Sequence, residues 1–474
     1  MEFAVAWCPR LPTGPGPLYD RLADAIQQDI VSGKLDVGSK LPPHRDLAHA
    51  LGVSVGTIAK GYAEAERRGL VNAHVGRGSF IRSTLRGGSI PPRMPSLRPA
   101  GTRTGVIDLR CNTPPPVALS DALQDSLGAL SLYEGLEAAV RYIQGSGLRS
   151  IRTVAADWLR RRHGIDSPAD DLVQCNGGQH GIALVFSAVA RPGDTILCES
   201  STFYGARVAA EQLGLRLRGV SMDAEGMMPD ALERAILESR SKLLFTIPTL
   251  HNPTTRTLGR NRREEIARIA RQHDVTIFED DAYHAYADAQ ERPPPIATFA
   301  PERTFYLASI SKGLCPGLRL AFLVLPAGLG SEQIMRAVRA LGYCPPALGG
   351  LIFSRWVENG TADRIAAEVQ RECAVRLNIA RSILGPHIAA PGAARTPHLW
   401  LPMPALDAER VVARALRADV EITPPDVSTV SGDADTGIRL CLGATESSEA
   451  LESALTAVRT AIEGDERRRN EGII

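Results

Sequence analysis

The stretch Ser309-Ile310-Ser311-Lys312-Gly313-Leu314-Cys315-Pro316-Gly317-Leu318-Arg319 holds the residues best suited to chemistry. Apolar runs flank it, FYLASI (305–310) before and LAFLVLP (320–326) after, and both read as buried strands. A lysine between two such strands is a candidate for a Schiff base with a carbonyl cofactor. The hydroxyls of Ser309 and Ser311 and the guanidinium of Arg319 can hold a phosphate through charge-assisted hydrogen bonds.

Four other places suit the same chemistry. Asp280 ends the run VTIFED, where α/β sheets bind ligands, although three adjacent acids also fit a loop rim. A carboxylate there needs a cation, and a protonated pyridine nitrogen would serve. Asn252-Pro253 follows the run KLLFTIP and offers an amide donor or merely a turn. Gly177 and Gly178 precede the apolar helical run GIALVFSAVA, so backbone N–H groups there can approach a phosphate. Phe203, after TILCES, either stacks on a flat ring or fills the core. Arg439 sits on an apolar strand, GIRLCLG, and needs an anion from the protein or a ligand.

Strand-like runs at 195–200, 215–222, 242–248, 275–281, 305–310 and 320–325 alternate with helical patterns at 203–213, 229–239 and 261–273. The alternation predicts an α/β body with a mainly parallel sheet and helices on both faces. From about 330 to 464 the pattern predicts a smaller α+β subdomain, with strands near His398–Met403 and Gly437–Leu442, and 465–474 a charged tail.

The first segment reads differently. Leu18, Leu22, Ile26 and Ile30 give one helical face, Arg45–Leu51 a short helix, Gly52-Val53 a turn, and Ser54 the N-cap of a helix to about Arg68. LVNAH and SFIRS then flank Gly76-Arg77-Gly78 as a hairpin. This is a winged helix-turn-helix over 14–82, and the proline-, glycine- and arginine-rich stretch 83–106 is a linker.

The 474 residues carry a net charge of only +1, which conceals an asymmetry. Residues 1–100 hold 13 Lys+Arg against 8 Asp+Glu, and no acid falls between Arg67 and Arg103. A basic front on a mildly acidic body suggests that the front meets a polyanion. No apolar run reaches the ~20 residues of a membrane span. Eight scattered cysteines without a CxxC pair fit reduced thiols in cytoplasm, with neither disulfides nor a metal site.

In their order and spacing the body's motifs, over roughly 107–464, resemble the fold-type I pyridoxal-phosphate (PLP) enzymes, the class I/II aminotransferases. The resemblance implies that Lys312 carries the cofactor and that Ser309, Arg319, Gly177 and Gly178 bind its phosphate, with Ser311 as a helper. Asp280 would hold the pyridine nitrogen, Asn252 and Tyr283 the phenolic oxygen, and Phe203 the ring face. RYIQGSGLRSIR resembles the segment whose tyrosine reaches the partner subunit's phosphate, which makes Tyr142 that residue and implies a homodimer. Arg439 matches the arginine that grips a substrate carboxylate. The sequence departs from the family where the proline before the stacking aromatic is missing and where Thr255 replaces a glycine after NPT.

The front, over about 17–82, resembles GntR-family repressors through LPPHRDLAHALGVSVGTI, AERRGLV and GRGSFI. That implies DNA contacts from Arg45, from Ser54 and Thr57 at the start of the recognition helix, and from Gly76 and Arg77 in the wing. Val55 stands where the family often has a base-reading arginine, and His44 where it has a serine. Lys60, Arg67, Arg68 and Arg77 are candidate phosphate contacts. A GntR head on an aminotransferase-like body defines the MocR-like regulators. The expectation is a cytoplasmic regulator of an operator in double-stranded DNA, which senses a small amino compound by external aldimine formation at Lys312. An aminotransferase with a secondary head, and a regulator that senses PLP itself, remain open.

Overall fold

The computed structural model describes residues 7–9, 11, 17–31, 34–35, 39–68, 70–74, 78–81, 105–130, 136–143, 145–287, 292–327, 331–389, 395–431 and 434–470. The chain forms two compact units, Met1–Arg93 and Met94–Ile474.

The head contains helices at Leu18–Val31, His44–Leu51 and Val55–Arg67, then an antiparallel pair, Val71–His74 with Gly78–Ile81. Gly52 ends the second helix at φ 67°, a conformation open to glycine, which turns the chain toward the third helix. Ser54 caps that helix by accepting the Thr57 N–H at 3.1 Å. Leu22, Ile26, Leu47, Ile58, Tyr62 and Ile81 are buried together as one core.

Seven strands build the body's main sheet: β1 Leu172–Cys175, β2 Thr195–Glu199, β3 Arg216–Val220, β4 Leu243–Thr246, β5 Thr276–Asp280, β6 Thr304–Ser309 and β7 Ala321–Val324. Their order is β1-β7-β6-β5-β4-β2-β3, and only β7 runs against its neighbours. Alternate residues enter two cores. Phe245 and Phe278 pack on one face, and Leu244 and Ile277 on the other, against the helices Pro229–Ser239 and Arg260–Gln272.

Three features differ from the sequence reading. The four-residue strand β1, LVQC, has no counterpart among the expected strands. The boundary near 330 gives way to one inside the helix Thr361–Leu384, whose residues through Cys373 join the main core and from Leu377 a second core. That second core also takes Leu109, because Ile107–Asp108 pairs with Val420–Glu421. The expected tail begins as helix, since Ser448–Asn470 is continuous.

Candidate functional site

The direction of β7 gathers the phosphate ligands. Parallel β1, β5 and β6 end at one edge of the sheet, and antiparallel β7 begins there, with Ala321 beside Cys175 of β1 and Ser309 of β6. Arg319, two residues before β7, therefore meets the turn after β1, where its Nη2 donates to the Asn176 carbonyl at 3.3 Å. Gly177 has φ 79°, and a Cβ built there would lie 2.6 Å from Arg319 Nη2. Glycine suits the turn, because φ 79° strains any side chain, and it lets the Arg319 guanidinium approach without shifting. Gly178 begins a twelve-residue helix beside Ser309. Ser309 Oγ accepts the Ser311 N–H at 3.3 Å, and Ser311 Oγ is buried with no partner among the described residues.

A cavity of about 150 Å³ opens onto these groups. Gly178, Phe203, Asn252, Asp280, Tyr283, Ser309, Ser311, Lys312 and Arg319 line it, so nine expected residues converge there. Burial pushes the Asp280 carboxyl up to about 7, helped by the neighbouring Asp281 charge. Burial also lowers the Lys312 amine below its ordinary value, which favours the neutral nucleophile. Tyr283 OH accepts from Asn252 Nδ2 at 3.1 Å and from Asn112 Nδ2 at 3.0 Å.

Asn112 was not among the expected residues. Its backbone carbonyl accepts the Lys312 amine, and its Nδ2 meets His398 Nδ1 at 2.9 Å. It lies in CNTPPP, where proline and a short polar side chain read as loop; only its pairing across 200 residues gives it a role.

Arg439 is also close. Its Nη1 donates to Asn252 Oδ1 at 2.8 Å, and its Nη2 to the Arg110 carbonyl at 2.7 Å and Thr423 Oγ1 at 3.2 Å. Its Nε is buried without a partner among the described residues. Tyr142 lies apart from the cavity lining: it is 79% exposed and its ring meets Tyr343 edge-on at 5.1 Å. Thr255, in place of the expected glycine, adopts φ 60°, which strains a β-branched residue.

In the head Arg45 and Lys60 are exposed on the second and third helices. Ser54 caps the third helix by accepting the Thr57 N–H, and the two hydroxyls meet at 2.9 Å. Val55 beside them is 46% exposed. Gly76 and Arg77 lie outside the described residues. Arg68, expected as a phosphate contact, instead binds Asp20 (3.1 Å), Asp24 (2.5 Å) and Glu64 (2.7 Å), and so joins the first and third helices.

Comparison with known proteins matches residues 134–458 to "Aminotransferase class I and II" and residues 18–81 to "Bacterial regulatory proteins, gntR family". The uncharacterized HTH-type transcriptional regulator YdeF of Bacillus subtilis is 30% identical over 80% of this chain and 79% of its own. Among solved structures, the multiple substrate aminotransferase of Thermococcus profundus has a TM-score of 0.69 at 23% identity, covering 77% of this chain and 93% of its own. LysN, the alpha-aminoadipate aminotransferase of Thermus thermophilus, complexed with N-(5'-phosphopyridoxyl)-L-leucine, has a TM-score of 0.67 at 24% identity, covering 76% and 93%.

Proposed function

Since the chain belongs to the aminotransferase class I and II family and joins that fold to a GntR-family helix-turn-helix head, the organisation of MocR-like transcription regulators, we propose that it couples PLP-dependent capture of an amino compound to DNA binding. The observation that carries this reading is the convergence of Lys312, Asp280, Asn252, Tyr283 and Arg319 on one cavity within the same chain as the head.

The residues present fit PLP. A Cβ at Gly177 would fill the cradle in front of Arg319, and the unpartnered Ser311 Oγ lies on the same loop as Lys312. Asp280, raised by burial, gains most from a cation such as a protonated pyridine nitrogen. When bound, PLP supplies an aldehyde that exchanges amines. Lys312 would hold it, Asp280 would keep a proton at the ring nitrogen, and Asn252 and Tyr283 would bind the ring oxygen. Phe203, on the cavity lining, would stack on the ring face. Arg439, with its orphan Nε, would orient the carboxylate of the incoming amino compound.

In the head Arg45, Lys60 and Arg77 supply positive charge to the DNA backbone. The exposed Val55 gives no bidentate guanine contact, which leaves sequence reading to neighbouring positions. Tyr142, 79% exposed, would reach the phosphate site of a second copy, which makes the assembly a homodimer. Occupancy of the body then shifts the balance between DNA-bound arrangements of the two heads.

An absorbance titration of the PLP-loaded protein with amino acids and amines, run beside a DNA-binding assay, tests this. The compound that changes the spectrum should change DNA affinity or footprint over the same concentration range. A spectral change with unaltered DNA binding for every compound refutes the coupling.

A further inference from the structure

Behind the loop that carries Lys312 lies a second cavity, larger than the first at about 430 Å³. Ala282 and Ser309 wall both cavities. The other side is the helix Thr361–Leu384, through Ala362, Ala366 and Gln370. The volume falls within the range of small-molecule sites, and the proposed PLP chemistry makes no use of it.

Its charges are unevenly matched. Arg161 and Arg162 line it and are paired, with Asp157 at 2.8 Å and Asp363 at 3.3 Å. Arg292 and Arg395 are not ion-paired among the described residues. Arg292 donates to the backbone carbonyls of His284 (3.3 Å) and Arg162 (2.8 Å), and Arg395 to Gln370 Oε1 (3.3 Å). Each guanidinium keeps further donors. Asp281, 1% exposed, also lines the cavity: its Oδ2 accepts Tyr306 OH and contacts His284 Nδ1, both at 2.7 Å, while its Oδ1 is buried and unpartnered among the described residues.

A metal does not suit this wall, although ligand atoms of His163, Asp281 and His284 fall within 4.8 Å. His163 Nδ1 is engaged by Tyr306 OH, and both His284 nitrogens by Asp281 and the Arg162 carbonyl. The two imidazoles stack in parallel at 3.8 Å and cannot converge on one ion. Neighbouring guanidiniums repel a cation.

We infer that this cavity binds a small organic anion, a carboxylate or phosphate monoester that also bears a hydroxyl or amino donor. Its acid group meets Arg292 and Arg395, and its donor meets Asp281 Oδ1. An occupant here touches the helix that joins the two cores and the back of the Lys312 loop, so it acts on the first site without entering it.

Calorimetric titration of the full-length protein with L-malate and with glycerol 3-phosphate tests the inference. Neither probe has an amine, so neither reacts with an aldehyde, and they separate the carboxylate source from the phosphate source. At least one should bind saturably at one site per chain. Arg395→Gln and Arg292→Gln should each weaken it tenfold or more, and Arg439→Gln should leave it unchanged. If malate is the ligand, succinate, which lacks the hydroxyl, should bind more weakly. Arg395 is half-buried with a single hydrogen bond among the described residues, so its variant tests the site even if the Arg292 variant fails to fold. Absence of saturable binding by both probes, unchanged affinity in Arg395→Gln, or loss in Arg439→Gln overturns the assignment. Because the readout is direct binding, it stands or falls apart from the PLP reading.

Discussion

Replacing Asp280 by Asn isolates the electrostatic design of the first site. The carboxyl is 5% exposed, and burial with the Asp281 charge raises it from 3.8 to about 7. The folded chain therefore binds this proton more tightly than the unfolded chain does. The resulting stability is fully present below the unfolded pKa and is lost as pH rises through the folded one. A tenfold difference in proton affinity corresponds to about 1.4 kcal/mol, so wild type should lose ~2–3 kcal/mol relative to Asp280→Asn between pH 5 and 7. The assay is denaturant unfolding of PLP-free wild type and variant across that range, read as a difference so that other titrating groups cancel. In the PLP-loaded protein the deficit should shrink, because the ring nitrogen supplies the missing cation. A difference curve flat from pH 5 to 7 would mean that Asp280 titrates like a solvated acid, and the argument for its role would fail.

Gly177→Ala should weaken PLP binding at least tenfold in a fluorescence titration, because the methyl displaces Arg319 at 2.6 Å and φ 79° strains any side chain; unchanged affinity would remove the turn from the phosphate cradle. Thr255→Gly should stabilise the body by roughly 1 kcal/mol by relieving φ 60°, seen as a higher melting temperature, and a lower one would contradict the strain. In the head, Arg45→Ala should weaken DNA binding and flatten its salt dependence by about one phosphate contact. Arg68→Ala should instead lower the head's stability, by no more than about 1 kcal/mol given its partly exposed partners, and leave the salt slope unchanged. A reduced slope would restore Arg68 as a DNA contact.

Much of the first site was legible because its residues sit at ends of strands whose apolar runs are themselves plain. Lys312, Asp280 and Asn252 each follow such a run, and the glycines before GIALVFSAVA mark the helix that faces Arg319. The rest depends on contacts between residues far apart along the chain or on runs too short to show a period. β1 is four residues long and contains a glutamine, too little for a periodic signal. Asn112 acquires its role only by reaching Lys312, Tyr283 and His398, and Ile107–Asp108 becomes a strand only beside Val420–Glu421. The junction of the two cores is invisible because Thr361–Leu384 contains neither proline nor glycine. Arg68 is ambiguous in the sequence because a basic residue at the end of a recognition helix looks the same whether it faces phosphate or three acids.

The most direct measurement is borohydride reduction of the PLP-loaded protein followed by peptide mapping. The account predicts one phosphopyridoxyl group per chain, attached to the side chain of Lys312 and absent from Lys312→Ala. Label on another lysine, or none, would contradict it.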